Sequence, residues 1–362
     1  MTSAAACDAC LRRTALIVAL SGRLDVEWRR RQATARILAL PDEALLAIAP
    51  PAAARAYAGF EARAARAGAE RACVRLLCRC QSSYPDRLRA LPDPPAVLHV
   101  LGRPGALDDP DAVAIVGARR ATAYGLEVSR ALGRGVSAAG VPVVSGMAMG
   151  VDAAAHHGAL DGVSAPVAVL AASPDVAYPA RNRRLHEAIA ARGCVVSELP
   201  PGASAYRWCF VARNRIVAAL AQVTVIVEAT ENSGSLTTAD FAADLGRTVA
   251  AVPGRVTTGT AAGTNGLLQS GAALVRHAAD VLELLAEATG HAHAAAPPPA
   301  PGDLDPALRR LLAAVEDGRG ALGELAHTPE EAKAALAGLG ELEFRGLVWR
   351  SFGGRYERAA PG

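Results

Sequence analysis

Lysine and aromatic residues are scarce in this 362-residue chain. Lys333 is the single lysine among 38 Lys and Arg residues, and aromatic residues make up 4%. The arginine bias is typical of a GC-rich genome, and a net charge of +3 is too small to indicate a nucleic-acid partner by itself. A hydrophobic content of 51% against 20% charged residues excludes global disorder and predicts a core built mainly from Ala, Val and Leu.

Long apolar runs are also absent. No stretch reaches the 18 or more residues that a membrane span needs, so we expect no membrane partner. The N-terminal segment MTSAAACDACLRR has no basic region followed by an apolar one, which argues against a secretion signal. The chain is therefore predicted to be soluble and cytoplasmic.

The seven cysteines form an odd set, which fits a reducing compartment. Cys7-x-x-Cys10 and Cys78-x-Cys80 could be assembled into a zinc site. However, the spacing matches no zinc finger and the first pair lies in a terminus that we expect to fray. Reduced thiols and no metal are the prediction.

The pattern along the chain predicts an α/β fold with flanking domains. Residues 1–81 are predicted as a small helical domain of the SAM or helix-hairpin-helix kind, and the proline-rich residues 82–95 as an extended connector. Within residues 96–288, short apolar runs alternate with helical segments of 10 to 15 residues from Val113 onward. This alternation predicts a Rossmann-like, doubly wound parallel sheet covered on both faces.

The C-terminal part predicts a linker and a second small domain. Residues 289–303 are rich in Pro and Ala, and their histidines are more typical of a solvated linker than of a metal site. Residues 304–362 contain three helical segments, with a capping box at Thr328 and Glu331, followed by a hairpin that turns at Gly353-Gly354. Three helices and a hairpin are the winged-helix pattern.

Two loops that follow predicted strands are candidate anion sites, because ligands of a doubly wound sheet bind at the carboxyl ends of its strands. Residues 117–122 precede a helix that Thr122 could cap, so backbone amides and the Arg119 guanidinium would make a phosphate site. No G-x-G-x-x-G fingerprint occurs, which argues against a dinucleotide, and no cofactor is predicted. In residues 145–150 the glycines either admit an anion to the backbone or only make tight turns.

Two further loops carry the same kind of residues. Residues 178–184 open a helix and are either a phosphate site or a solvated basic helix start. The Arg213-Asn214-Arg215 segment combines with residues 228–235, in which small hydroxyl residues precede a helix. Such residues both cap a helix and offer donors to a phosphate oxygen.

Conventional catalysis has little support in the sequence. Asp152, His156 and His157 share one predicted helix, but an acidic residue at a helix start with histidines facing the sheet or solvent is commoner than a metal site. No Ser/His/Asp constellation, H-E-x-x-H or Walker A sequence occurs. The chain is therefore predicted not to be an enzyme, with no catalytic residue.

Read in order, these loops resemble the bacterial DNA-processing protein A (DprA/Smf) family. The resemblance covers roughly residues 82–280, and the flanking regions agree with it. It is carried by residues 116–119, 124–125, 145–152, 178–182, 197–202, 210–216, 228–229, 233–239, 246–254, 263–267 and 271–272.

The resemblance implies that the Rossmann-like core binds single-stranded DNA. It also implies homodimerisation and delivery of the strand to the RecA recombinase during uptake of transforming DNA and recombination. The DNA-binding residues it implies are Gly117, Arg119, Ser145, Gly146, Arg181, Asn182, Arg213, Asn214, Arg215, Ser233, Gly234, Ser235 and Thr238.

This chain departs from the family pattern in two places. Residues 170–175 replace a glycine-rich turn, and Ala180 and Ala212 stand where many members have a basic residue and a proline. Arg181 or Arg183 could replace the charge lost at Ala180.

Two alternative functions stay open from the sequence. LOG-type nucleoside monophosphate phosphoribohydrolases share the Rossmann-like fold, but they carry P-G-G-x-G-T-x-x-E where this chain reads E-N-S-G-S-L-T-T-A-D. The acid would fall between Thr238 and Asp240. The other alternative is a transcriptional regulator whose core senses a nucleotide and whose winged helix binds DNA.

Overall fold

The order of strands in the central sheet shows how the chain is wound. A computed structural model describes residues 6–27, 31–293, 304–344, 347–351 and 353–359. Within them, nine strands form one sheet in the order β1-β2-β6-β5-β4-β3-β7-β8-β9. The strands are β1 Arg75–Cys78, β2 Val97–Gly102, β3 Val113–Val116, β4 Val143–Ser145, β5 Val167–Val169, β6 Cys194–Ser197, β7 Val223–Ile226, β8 Thr248–Ala251 and β9 Ala273–Leu274.

Helices cover both faces of this sheet and flank it at either end of the chain. Those of the N-terminal part are α1 Asp8–Ala19, α2 Ser21–Glu27, α3 Arg31–Ala39, α4 Asp42–Ala47, α5 Pro51–Ala58, α6 Ala62–Arg71 and α7 Asp86–Arg89. Those of the sheet are α8 Ala123–Ala138, α9 Val151–Asp161, α10 Arg183–Arg192, α11 Arg207–Leu220, α12 Leu236–Asp244, α13 Ala262–Gln269 and α14 Ala278–Thr289. Within the described residues, no helix is both long and apolar enough to cross a membrane.

The sheet is mostly parallel, as predicted. β3 to β9 run parallel to one another, while β1 and β2 add an antiparallel edge next to β6. Every residue of β3, β6 and β7 is buried, which is the signature of a strand covered on both faces. The chain winds outward from β3 in one direction through β4, β5 and β6, and in the other through β7, β8 and β9, so the order reverses between β3 and β7.

The sheet begins earlier in the chain than the sequence predicted. β1 lies inside the segment predicted as a helical domain, and its residues Arg75 to Cys78 pair with β2. The sequence gives little sign of this strand because it has four residues and only two are buried. A core that starts at residue 96 is therefore too short, because it lacks an edge strand of the sheet.

The N-terminal helices pack on α11, which carries several of the predicted site residues. Leu16, Leu20 and Leu24 share a buried cluster with Trp208 of α11. The Trp208 backbone N–H donates a hydrogen bond to Asp25 Oδ1 at 3.2 Å. These helices therefore cover one side of α11 and leave its other side to the sheet and the candidate site.

The C-terminal residues form the predicted three helices and a hairpin. Helices α15 Pro306–Glu316, α16 Leu322–Leu325 and α17 Pro329–Phe344 are followed by the antiparallel strands β10 Val348–Arg350 and β11 Tyr356–Arg358. The capping box is confirmed: the Glu331 N–H donates to Thr328 Oγ1 at 3.2 Å, and the Thr328 N–H to Glu331 Oε2 at 3.1 Å.

Most of the predicted linker, residues 294–303, lies outside the described residues. Its two histidines are not simply solvated. His291 Nδ1 and His293 Nε2 each lie 2.9 Å from Asp111 Oδ2. Both histidines therefore contact Asp111, which lies just before β3.

Candidate functional site

A cleft opens where the strand order reverses, between the loop after β3 and the loop after β7. We call it the switch-point cleft. It has a volume of about 870 Å³, and α11 runs along it. Its lining includes Gly117, Arg119, Arg120, Asp152, Phe210, Arg213, Asn214, Ser233, Gly234, Ser235 and Thr238. This is the position at which open α/β sheets bind their ligands.

Glu228 joins the two loops that form the cleft. The Ala118 N–H donates to the Glu228 backbone carbonyl at 2.7 Å, and the Thr122 N–H donates to the Glu228 carboxylate at 2.8 Å. Thr122 also caps α8 as predicted, because its Oγ1 accepts the Gly125 N–H at 3.2 Å. The Glu228 carboxylate is thus engaged in holding the loops together.

Arg119 occupies the cleft in an unexpected way. We predicted its guanidinium among backbone amides, but it lies over the Phe210 ring, 4.9 Å from the ring centroid. Phe210 in turn contacts Tyr178, with the ring centroids 5.7 Å apart. No hydrogen bond of the Arg119 guanidinium occurs among the described residues, so its in-plane N–H donors are available to a ligand.

The aromatic partners of Arg119 were not predicted as a pair. Tyr178 and Phe210 belong to motifs of the family resemblance, but they lie on different loops and only the tertiary fold brings their rings together. The two rings are tilted by 54° with respect to each other. Aromatic rings beside a basic residue are a combination that proteins use to bind single-stranded nucleic acids.

The loop opposite Arg119 presents hydroxyl groups and open backbone. Ser233 Oγ and Ser235 Oγ lie 2.7 Å apart, and the Asn214 side-chain amide donates to the Gly234 carbonyl at 3.1 Å. A Cβ added at Gly234 would meet no atom within 4 Å. This loop leads into α12, whose first-turn residue Thr238 is almost fully buried. The N–H groups of Ser235, Leu236 and Thr238 are already donated within this turn, so the loop offers a ligand its hydroxyl groups and the open space beside Gly234.

A buried charge lies below the cleft. Arg213 is 7% exposed and donates from Nη1 to the Val169 carbonyl at 2.8 Å. The nearby Asp152 carboxylate accepts the Gly146 and Ala148 N–H groups at 3.2 and 3.3 Å. Burial lowers the pKa of Arg213 and raises the pKa of Asp152, while the attraction between the two opposes both shifts.

Two glycines of the predicted site serve packing. A Cβ at Gly146 would overlap Arg213 Nη1, so this glycine makes room for the guanidinium. A Cβ at Gly117 would lie 2.8 Å from Val151 Cγ2. Both glycines thus permit close approaches within the protein, which favours the tight-turn interpretation of residues 145–150.

Three predicted DNA-binding residues are not part of the cleft lining. Ser145 is fully buried and its hydroxyl donates to the Ile115 carbonyl at 2.6 Å, which leaves it out of reach of a ligand. Asn182 donates to the Met147 carbonyl at 2.9 Å and so anchors one loop to another. Arg181 is exposed, but like Arg183 it is not part of the cleft lining.

Arg215 is the clearest correction to the predicted site. It is 2% exposed and forms ion pairs with Asp93 and Glu198, each with a closest N–O distance of 2.9 Å. It also donates to the carbonyls of Ala212 and Asp93 at 2.7 and 3.1 Å. These contacts leave the Arg215 guanidinium no donor for DNA. Arg215 instead joins α11 to Asp93, which precedes β2, and to Glu198, which follows β6.

The two histidines of α9 lie in different surroundings. Burial lowers the pKa of His156 to about 3, so it is neutral at physiological pH. His157 is exposed, and the Asp152 carboxylate is held by the loop amides described above. Burial thus accounts for the neutral state of His156, and the loop amides account for the position of the Asp152 carboxylate.

Fold and cleft together define an α/β protein with an arginine- and hydroxyl-lined cleft at the switch point of a doubly wound sheet. The family model for DNA recombination-mediator protein A matches residues 75–286, and the chain belongs to that family. The match begins at β1, in agreement with the sheet observed here.

Individual relatives support this assignment. Protein Smf of Synechocystis is 33% identical over 312 residues, which cover 76% of this chain and 78% of the relative. A Mycobacterium tuberculosis protein provisionally called DNA processing protein DprA is 47% identical over 201 residues, which are 55% of this chain and 51% of that protein. The chain thus spans about half the length of the first curated relatives that it matches.

Solved structures agree with the fold. DNA processing protein A of Streptococcus pneumoniae superposes with a TM-score of 0.61 at 31% identity, over 67% of this chain and 86% of that one. The Helicobacter pylori protein, whose structure was described for its single-stranded DNA binding mode, gives a TM-score of 0.53 at 33% identity, over 56% of this chain and 93% of that one.

Proposed function

We propose that this protein binds single-stranded DNA in the switch-point cleft. The observation that carries the proposal is the Arg119 guanidinium, which lies on the Phe210 ring with its donors unused, opposite the open backbone of Gly234. Membership of the family and the single-stranded DNA binding of the Helicobacter pylori relative support the same conclusion.

The chemistry of the cleft suits a strand with unpaired bases. Arg119 and the hydroxyl groups of Ser233 and Ser235 offer donors to phosphate oxygens, and the rings of Phe210 and of Tyr178 in the adjoining pocket offer apolar surfaces for bases. In a duplex the bases are already stacked and paired, so these rings have nothing to bind. We therefore expect a preference for single strands, with little dependence on sequence because phosphate contacts carry no sequence information.

Gly234→Ala directly tests whether a phosphate contacts the loop of residues 233–235. The added methyl group meets no protein atom within 4 Å, so the free energy of unfolding is expected to stay within about 0.5 kcal/mol of the parent. If a phosphate packs against this backbone, the methyl group blocks its approach, and we expect a loss of affinity of roughly tenfold for the loss of one such contact. Fluorescence anisotropy with a labelled single-stranded oligonucleotide measures it.

Gly105→Ala is the matched control for that variant. A Cβ at Gly105 would also meet no atom within 4 Å. Gly105, however, follows β2, which ends beside the start of β6, so it lies at the amino-terminal ends of the parallel strands and away from the cleft. Its replacement is expected to leave both stability and affinity unchanged. Unchanged DNA affinity in Gly234→Ala would contradict a phosphate contact at this loop.

The wider role is proposed from the family. A single-stranded DNA-binding protein that protects incoming strands and loads RecA during transformation and recombination would work in the cytoplasm as a homodimer. Sedimentation of a strict monomer at micromolar concentration would contradict the dimer. Failure to promote RecA filaments on coated single strands would contradict the loading role.

The terminal regions are assigned as domains within this proposal. We take residues 304–362 as a winged-helix-like domain because α15, α16 and α17 are followed by the β10–β11 hairpin. The N-terminal helices α1 to α6 are taken as a small helical domain that covers α11.

A non-catalytic role fits the acids around the cleft better than hydrolysis does. The phosphoribohydrolase alternative needs its acid where this chain has residues 238–240, at the start of α12. Thr238 is not an acid and is almost fully buried, and Glu228, on the loop after β7, is bound to Thr122. No observation favours this alternative, nor a nucleotide-sensing regulator, and no cofactor is proposed for the cleft.

A further inference from the structure

Four cysteines that are distant in sequence come together at the edge of the sheet. The Sγ atoms of Cys7, Cys10, Cys78 and Cys80 all lie within 4.8 Å of one another. Cys7 immediately precedes α1 and Cys10 lies in its first turn, whereas Cys78 ends β1 and Cys80 follows two residues later. We call this group the cysteine cluster.

The spacing of the sulfur atoms fits metal coordination. Cys10 Sγ and Cys80 Sγ are 3.6 Å apart. A zinc ion bonded to four thiolates at about 2.3 Å places each pair of sulfurs about 3.8 Å apart if the site is tetrahedral. A disulfide would need a separation of about 2.05 Å and would join the sulfurs in pairs. Four mutually close thiols therefore resemble one tetrahedral site more than two disulfides.

The surroundings of the cysteine cluster are those of a closed structural site. Cys10 and Cys78 are buried together with Ala6, Leu11, Ala96 and Val97, while Cys80 is exposed and gives a path of entry. The Cys7 backbone N–H points at Cys78 Sγ, with N and S 3.5 Å apart. Backbone donors of this kind hold and stabilise thiolate ligands.

Hydrogen bonds hold in place the two chain segments that carry the cysteines. Arg66 of α6 donates to the Ala6 carbonyl at 2.6 Å, directly beside Cys7, and also pairs with Asp8. The Cys78 N–H donates to Gln81 Oε1 at 2.8 Å, which closes the turn that presents Cys80.

We propose that Cys7, Cys10, Cys78 and Cys80 form a structural zinc site that joins the start of α1 to the edge strand β1. Four sulfur ligands in tetrahedral arrangement select zinc among the common divalent ions, and a full set of protein ligands leaves no open position for catalysis. The expectation of no metal rested on a frayed terminus, but the structure holds Cys7 and Cys10 at the start of a packed helix.

The site is separate from DNA binding. β1 is an edge strand, and four strands lie between it and β3, where the switch-point cleft begins. The zinc would act by fixing the N-terminal helices, which themselves cover α11. Its presence can therefore be tested without reference to DNA.

Metal analysis of the intact chain tests the proposal. We expect about one zinc per chain after purification under reducing conditions, and at least about a tenfold lower content in Cys80→Ser. Cys80 is the best position to change because it is exposed, so the variant keeps its packing. Cys73→Ser is the control, because Cys73 is also exposed and close in sequence but lies outside the cysteine cluster. It is expected to retain the full zinc content.

Two further measurements keep the test independent of how well Cys80→Ser folds. Cobalt added to metal-stripped parent protein should give the thiolate-to-cobalt charge-transfer bands of a tetrahedral site. Chelation should lower the Tm of the parent and leave that of Cys80→Ser unchanged. The proposal is overturned by a parent chain that takes up neither zinc nor cobalt, by bound iron in place of zinc, by equal zinc content in parent and Cys80→Ser, or by a mass showing that the four cysteines are paired as disulfides.

Discussion

Arg119→Ala is expected to weaken single-stranded DNA binding by about 1.5 to 3 kcal/mol, roughly a tenfold to hundredfold loss, because it removes a charged donor to a phosphate. The side chain is exposed and makes no hydrogen bond among the described residues, so the Tm should not fall. The slope of log affinity against log salt should drop by about 0.7 for one lost phosphate contact on a single strand. Anisotropy titrations over a range of salt concentrations give both quantities.

Arg103→Ala is the matched control for Arg119→Ala. Arg103 is exposed like Arg119 but follows β2, whose last residue Gly102 pairs with Cys194 at the start of β6. Arg103 therefore lies at the amino-terminal ends of the parallel strands, whereas the cleft lies at their carboxyl ends. Loss of the Arg103 side chain should change neither the DNA affinity nor the salt slope. Arg120 is a poorer control because it lines the same cleft. Unchanged affinity and slope in a stable Arg119→Ala protein would remove the cleft as the DNA site.

Arg119→Lys separates charge from stacking. Lysine keeps the positive charge but loses the planar group that lies on Phe210 and the paired donors that match a phosphate. An affinity between those of the parent and Arg119→Ala is expected. The salt slope should stay near the parent value, because the charge remains.

Arg215→Met is expected to lower the free energy of unfolding by about 3 to 5 kcal/mol, because it leaves buried carboxylates without their partner. Asp93 and Glu198 both contact this guanidinium, and burial already raises the pKa of Asp93. Urea unfolding of the full-length protein, followed by tryptophan fluorescence and compared at equal m-values, measures the loss.

A triple variant tests the cause of that loss. Arg215→Met combined with Asp93→Asn and Glu198→Gln removes the uncompensated charges and should recover part of the stability. The folded single variant should bind DNA like the parent. Reduced DNA affinity with unchanged stability would contradict the structural role and would restore Arg215 to the binding site that the family resemblance implied.

The central fold could be predicted because its strands are short, mostly apolar and regularly separated by helices. The runs VAIV and VTVI at β3 and β7 leave little alternative to a buried parallel sheet. β1 has no such signal, since Arg75 is exposed and only two of its four residues are buried. Its place depends on pairing with β2, which no local pattern reveals.

The location of the candidate site could be predicted, but not which residues face it. The loops after β3 and β7 meet at the switch point, as the rule for open sheets requires. Ser145 and Arg215 lie in motifs of the family resemblance, as Arg119 and Asn214 do, yet they turn inward because their partners, Ile115 and Asp93, lie on other segments. The sequence shows the residue types and not the direction in which they point.

The cysteine cluster could not be predicted from the sequence either. Its two pairs are separated by most of the N-terminal region, and their spacing matches no known finger. Only the packing of α1 beside β1 brings the sulfur atoms together.

The central claim is that the switch-point cleft binds a single strand, and one titration tests it most directly. The intact protein is titrated with a labelled single-stranded oligonucleotide and with the same sequence as a duplex, at one salt concentration. We predict at least about tenfold tighter binding of the single strand, since stacking on Tyr178 and Phe210 is open to unpaired bases alone and contributes about 1 to 3 kcal/mol per base. Equal affinity for both forms, or tighter binding of the duplex, would contradict the account.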